Sequence, residues 1–118
     1  MDTKDAIHRL GALAQESRLA IFRLLVEHGP AGLTVGRIAE RLELAPATLS
    51  FHLKELAASG LIEGRQEGRF IHYSANFEVM SELVSYLTMN CCRESGDTNC
   101  ITDRTPKSET KPRRKQAA

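Results

Sequence analysis

The stretch Leu44–Ile62, LAPATLSFHLKELAASGLI, decides the fold. Leu49, Leu53 and Leu56 recur at helical spacing, so one stripe faces a core. Pro46 suits a first helical position, where its missing N–H would be unpaired anyway. Gly60 suits the left-handed residue that closes a helix. The other face carries Ala47, Thr48, Ser50, Phe51, His52 and Lys54, small and polar near the helix start. A helix of this shape can press its N-terminal half into a groove. Helices of the same kind also simply meet water, so the flanking elements have to decide.

Upstream, Thr34 can cap a helix with Val35, Ile38, Ala39 and Leu42 at i, i+3, i+4 and i+7. Only Glu43-Leu44-Ala45 separates the two helices, the tight connection of a helix-turn-helix. Downstream the period changes. Leu61–Arg65 and Arg69–Tyr73 read as two short strands around Gln66-Glu67-Gly68, with Gly68 able to supply a positive φ. A hairpin directly after the second helix of a helix-turn-helix is a wing.

Toward the N-terminus, Asp5–Ala14 places Ala6, Leu10, Leu13 and Ala14 on one side of a short helix that Asp2 or Thr3 can cap. Ser17 then caps Arg18–His28, where Leu19, Ile21, Phe22, Leu24, Leu25 and Val26 cover most of the circumference. This is the expected central helix, stopped by Gly29-Pro30. Asn76 can cap a last helix, Phe77–Asn90, with Phe77, Met80, Leu83, Val84 and Leu87 apolar. That apolar surface exceeds what a terminal helix of a small monomer needs. A second copy would bury it; the alternative is packing on the first helix of the same chain alone.

The expected fold is therefore mainly α: a winged helix-turn-helix of five helices and a two-stranded hairpin, paired as a homodimer through its first and last helices. The chain has 118 residues, enough for one small domain, here residues 1–92. Residues 93–118 form a cysteine-bearing segment and a basic tail poor in apolar residues, expected to be disordered beyond Asp103. No apolar run approaches the roughly 20 residues of a membrane span, and MDTKDAIHRL lacks the order of a signal peptide. A cytoplasmic protein is expected.

Net charge is +1 but uneven, because residues 104–118 hold six basic residues and one acid. The body before them is mildly acidic, so nucleic-acid binding must rest on local placement of charge. The tail Lys111–Lys115 can add non-specific DNA affinity or simply solubilise the end.

The motifs ALAQESRLAIFRLL (12–25), LAPATLSFHLKELAASGLI (44–62) and EGRQEGRFIHYSA (63–75), in this order, resemble the ArsR/SmtB family of dimeric winged-helix repressors. Its members leave DNA when they bind a metal or metalloid. The pattern SxHLxxLxxxGLI, Ser50 to Ile62, followed by RxxGR, Arg65 to Arg69, carries the resemblance. It implies double-stranded operator DNA as partner, with Ala47, Thr48, Ser50, Phe51 and His52 at the base-contacting positions. Lys54 would meet phosphate, and Arg65 and Arg69 would reach backbone or minor groove. Hydroxyls and an imidazole can read base edges and a ring can meet a thymine methyl; arginine suits a narrow minor groove. Thr48 and Ser50 can equally face water or bond their own helix, and His52 can bond the turn. Ala45 and Phe51 depart from the family, which often has Ser and a polar residue there.

The resemblance also frames the sensing chemistry. A sensor cysteine pair would fall on Thr34 and Gly36, so that site is absent. A zinc site on the last helix would need His, and Phe77–Asn90 has none. What remains is Cys91, Cys92 and Cys100, which looks like the subtype whose arsenic site is a C-terminal cysteine triad. Soft thiolates select soft ions, and trivalent arsenic or antimony takes three sulfurs in a pyramid. Arg93 can favour thiolate formation. The expected inducer is therefore As(III) or Sb(III), with no catalytic cofactor. A structural zinc site completed by His72, Asp97 or Asp103 stays open, as does release by thiol oxidation or by a divalent metal such as zinc or cadmium. An enzyme is not expected: there is no C-x-x-C motif and no cysteine-led phosphate loop.

Overall fold

The computed structural model describes residues 1–95; Cys100 and the basic tail lie outside the described residues. The elements run α1 (Thr3–Leu13), α2 (Glu16–His28), β1 (Leu33–Thr34), α3 (Val35–Leu42), α4 (Pro46–Ala58), β2 (Ile62–Glu67), β3 (Phe70–Ala75) and α5 (Phe77–Thr88). They form two compact units, Met1–Val84 and a second that begins at Ser85. No helix among the described residues is long and apolar enough to cross a membrane.

Local chemistry explains most helix ends. Asp2 caps α1 in a reciprocal box with Asp5, its carboxylate accepting from the Asp5 N–H at 2.8 Å. Thr34 caps α3, and Glu43 closes it in the left-handed region. Pro46 opens α4 and Gly60, at φ +83°, follows its end. The Asn76 carboxamide accepts from the Val79 N–H at 3.1 Å at the start of α5. Helix α2 starts earlier than the sequence predicts. Gln15, not Ser17, is its cap, the carboxamide oxygen accepting from the Arg18 N–H at 2.9 Å. Helix α5 stops at Thr88 rather than Asn90, because Asn90 turns left-handed at φ +61°.

The sheet also differs from expectation. The wing strands are longer, with Glu67 opposite Phe70 and only Gly68-Arg69 between them. Positive φ falls on Gly68 alone, the pattern of a two-residue turn led by glycine. The turn thus puts Arg69 at the tip rather than on a strand. A third strand joins: Leu33–Thr34 pairs antiparallel with β3, giving the order β1-β3-β2. Two residues carry no readable alternation, so this strand exists only through its partner.

The core of the first unit gathers Ile21 and Leu25 of α2, Ile38 of α3, Leu49, Leu53 and Leu56 of α4, and Leu61 and Ile62 at the start of the wing. Helix α2 is buried along Ile21, Phe22, Leu24 and Leu25, as its central place requires; Leu19 is 45% exposed and borders a surface groove with Ala20, Leu24 and Leu42. On α1, Ala6 is buried while Ile7 and Leu10 face outward at 64% and 40% exposure. Truncating Leu56, which is fully buried, to Ala should cost about 2–5 kcal/mol in urea denaturation. Thr48→Ala, on the exposed face of the same helix, should stay within about 0.5 kcal/mol.

Candidate nucleic-acid interface

The buried stripe of α4 fixes which side of the helix is free. Ala47, Thr48, Ser50, Phe51 and Lys54 are all exposed. Ala45 stands at the N-cap with no side-chain hydrogen bond, so the first-turn N–H groups of α4 take no cap from it. Such an end favours anions through both its free donors and the helix dipole.

His52 is the correction on this helix. It is 8% exposed and lies on the buried side, not among the outward residues. Arg18 Nη1 donates to His52 Nδ1 at 3.4 Å, and Arg18 Nε donates to the Ala12 carbonyl at 2.7 Å. A guanidinium has no acceptor, so Nδ1 must accept. The Phe51 ring meets the His52 ring edge-on, centroids 5.7 Å apart at 62°. At the other end of α4, Arg9 Nε donates to the Ser59 carbonyl at 3.0 Å. The contacts of Arg9 and Arg18 span 50 and 34 residues of chain, which is why spacing in the sequence did not reveal them.

In the wing, Arg69 is exposed at the turn. Arg65 is held. Its Nε donates to Glu67 Oε2 at 2.6 Å and its Nη2 to the Ala31 carbonyl at 3.1 Å. The Glu67 carboxyl is thereby kept below its ordinary range, first by the hydrogen bond from Arg65 and then by its charge. His72, directly opposite Arg65 across the strands, has Nδ1 3.7 Å from Glu67 Oε1. That is too long for a hydrogen bond, and this buried nitrogen has no hydrogen-bond partner. Glu67 follows Arg65 by two residues on β2, so strand alternation puts both side chains on one face, a signal the sequence reading passed over.

The second unit carries the thiols. Past α5 the chain coils in successive turns, with Cys91 N–H donating to the Thr88 carbonyl and Ser95 N–H to the Cys92 carbonyl. Cys91 and Cys92 are half-buried, and their sulfurs lie 3.4 Å apart. Cys91 is a free thiol, whereas Cys92 takes part in a disulfide. Among the described residues no three His, Cys, Asp or Glu side chains converge as a metal site. The expected third ligand, Cys100, lies outside the described residues. In the first unit, Thr34 uses its hydroxyl to cap α3, accepting from the Arg37 N–H at 3.3 Å.

Comparison with known proteins follows the same geometry. A helix-turn-helix domain family matches residues 13–65. The arsenical resistance operon repressor of Bacillus subtilis is 32% identical over 89 residues, which cover 75% of this chain and 83% of that protein. Two other Bacillus subtilis regulators match at 40% and 31% identity, and the chain spans only 57% and 61% of their lengths. Among solved structures, an ArsR-like transcriptional regulator from Rhodococcus sp. RHA1 superposes with a TM-score of 0.68 at 26% identity, covering 78% of this chain and 84% of that one. A homodimeric winged helix-turn-helix DNA-binding domain from Mycobacterium bovis gives 0.61 at 29%, covering 72% and 76%.

The wing network sets a testable sign. A lowered carboxyl favours the Arg65–Glu67 arrangement above the ordinary glutamate range and loses that contribution as pH falls through the lowered value. NMR titration of the Glu67 side chain should give a pKa below that of an ordinary glutamate. In Arg65→Gln the value should move back up, while His72→Gln should shift it far less.

Proposed function

We propose, because the chain belongs to the ArsR family of winged helix-turn-helix transcriptional regulators, that it is a metalloid-responsive repressor. It grips a palindromic double-stranded operator as a homodimer and releases it when trivalent arsenic or antimony is taken up by Cys91, Cys92 and Cys100. The observation that carries this reading is the vicinal cysteine pair, two sulfurs 3.4 Å apart just beyond α5. With Cys92 reduced, both can reach one soft ion, and thiolates select such ions. A relative named for arsenical resistance points the same way.

The DNA step follows from the exposed half of α4. The N-terminal residues of a recognition helix meet base edges, here Ala47, Thr48, Ser50 and Phe51. Lys54 neutralises a phosphate. Arg69 at the wing tip is free to reach the backbone, while Arg65 must first leave Glu67. His52 supports the helix from beneath instead of reading a base. Two half-sites require two chains, and α1 offers the exposed Ile7 and Leu10, α5 the exposed Val84 and Leu87.

Release requires that the ion bind the DNA-free form better. A coupling of about 1–3 kcal/mol, typical of allosteric proteins, is enough to change occupancy. A second reading has its own observation: Cys92 is disulfide-bonded, so oxidation of the thiols is a rival inducer.

Fluorescence anisotropy of reduced protein on its own upstream DNA separates them. Arsenite or antimonite, at about one ion per chain, should release the DNA, and Ser at Cys91, Cys92 or Cys100 should each abolish the response. Release by peroxide or zinc but not by arsenite would replace the inducer and keep the DNA-binding module. In sedimentation equilibrium the chain should be a dimer, and Ile7→Glu should weaken self-association at least tenfold, about 1.4 kcal/mol or more.

A further inference from the structure

Phe51 projects from the free side of α4 with 57% of its surface exposed, among the small residues Ala47, Thr48 and Ser50. A single exposed ring is ordinary on a protein surface. This one is not loosely hung. Its edge-on contact with His52 lies within the range favoured by aromatic pairs. The His52 ring beneath is buried and anchored at Nδ1 by Arg18, which is itself tied to the Ala12 carbonyl. Three contacts thus run from the end of α1 to the surface of α4 and orient one apolar ring.

We infer that Phe51 is a specificity-determining residue that reads a thymine through its C5-methyl group, with His52 and Arg18 as positioning residues behind it. The inference rests on the DNA-binding reading above. In the major groove, thymine alone among the four bases presents a methyl group, and cytosine presents an amino donor that a ring cannot accept well. Phe51 can offer no hydrogen bond at all. Its neighbours Thr48 and Ser50 have hydroxyls that bond donor or acceptor alike and discriminate little by themselves. The sharpest chemical distinction on this face is therefore apolar.

The test begins with duplex DNA selected by the wild-type chain from a random-sequence library, and each thymine is then replaced singly by deoxyuridine. At one thymine per half-site the loss of the methyl group should weaken binding about fourfold, the worth of one buried carbon. Phe51→Ala, an exposed substitution, should bind the thymine and uracil duplexes equally. His52→Asn keeps an acceptor for Arg18 but removes the ring; it should lower the melting temperature yet stay folded at about 25 °C, and lose most of the thymine-to-uracil ratio. Nitrogen-15 spectra should show His52 Nδ1 as an acceptor in the wild type and lose that signature in Arg18→Gln.

An unchanged ratio in Phe51→Ala, or no uracil-sensitive position in the wild type, overturns the inference while the DNA reading stands. An unchanged ratio in a stable His52→Asn overturns the positioning role. If no duplex is enriched by the wild type, the DNA-binding reading falls and the inference with it.

Discussion

Everything on the exposed face of α4 depends on one burial constraint. Leu49, Leu53 and Leu56 must leave water, and they do so completely or almost completely. Their stripe fixes the rotation of α4 about its own axis, and so decides which residues look outward. At roughly 25 cal/mol per Å2 of apolar surface, such burial outweighs any single polar contact of the helix. The two arginines then fix what burial leaves soft. Arg9 holds the Ser59 carbonyl beyond the C-terminal end, and Arg18 holds His52 in the middle. Helix packing alone tolerates a broad range of crossing angles; directional bonds from other helices narrow it.

The parts of this architecture that were legible beforehand are those written in neighbouring residues. The turn Glu43-Leu44-Ala45, the caps at Asp2, Thr34 and Asn76, Pro46 at the head of α4 and Gly60 behind it are all local chemistry, and all stand where the sequence puts them. The departures have a common cause. Strand β1 is only two residues long and is specified by β3, some forty residues away. The hairpin register is set by cross-strand pairing, which extended both strands and shrank the turn to Gly68-Arg69. His52 reads as polar and outward until Arg18 is seen beside it. Gln15 displaced Ser17 as a cap because either side chain can serve, and tertiary packing chose where α2 begins.

The candidate sensor was legible in a different way. Adjacent cysteines announce a thiol pair in any context, and the turns past α5 keep the two sulfurs close. What a vicinal pair cannot announce is its chemistry. Reduced, the two sulfurs can serve a soft ion, whereas the disulfide of Cys92 leaves Cys91 free and belongs to redox chemistry. By contrast, the positions that carry sensing residues elsewhere in the family have other employment here. Thr34 is a helix cap and a strand residue at once, and Gly36 is the second residue of α3.

That double employment of Thr34 has a mechanical consequence. The residue that starts α3 is also paired with His72 of β3. The hairpin is therefore tied, partway along β3, to the residue from which the helix-turn-helix starts. In the proposed complex with DNA, this tie restrains the reach of the wing relative to α4. Under that proposal, a misfit between half-sites would fall to bending of the duplex or to sliding between two copies. Selectivity for spacing would then belong to the proposed assembly and to the stiffness of the DNA, and selectivity for base identity to the single chain.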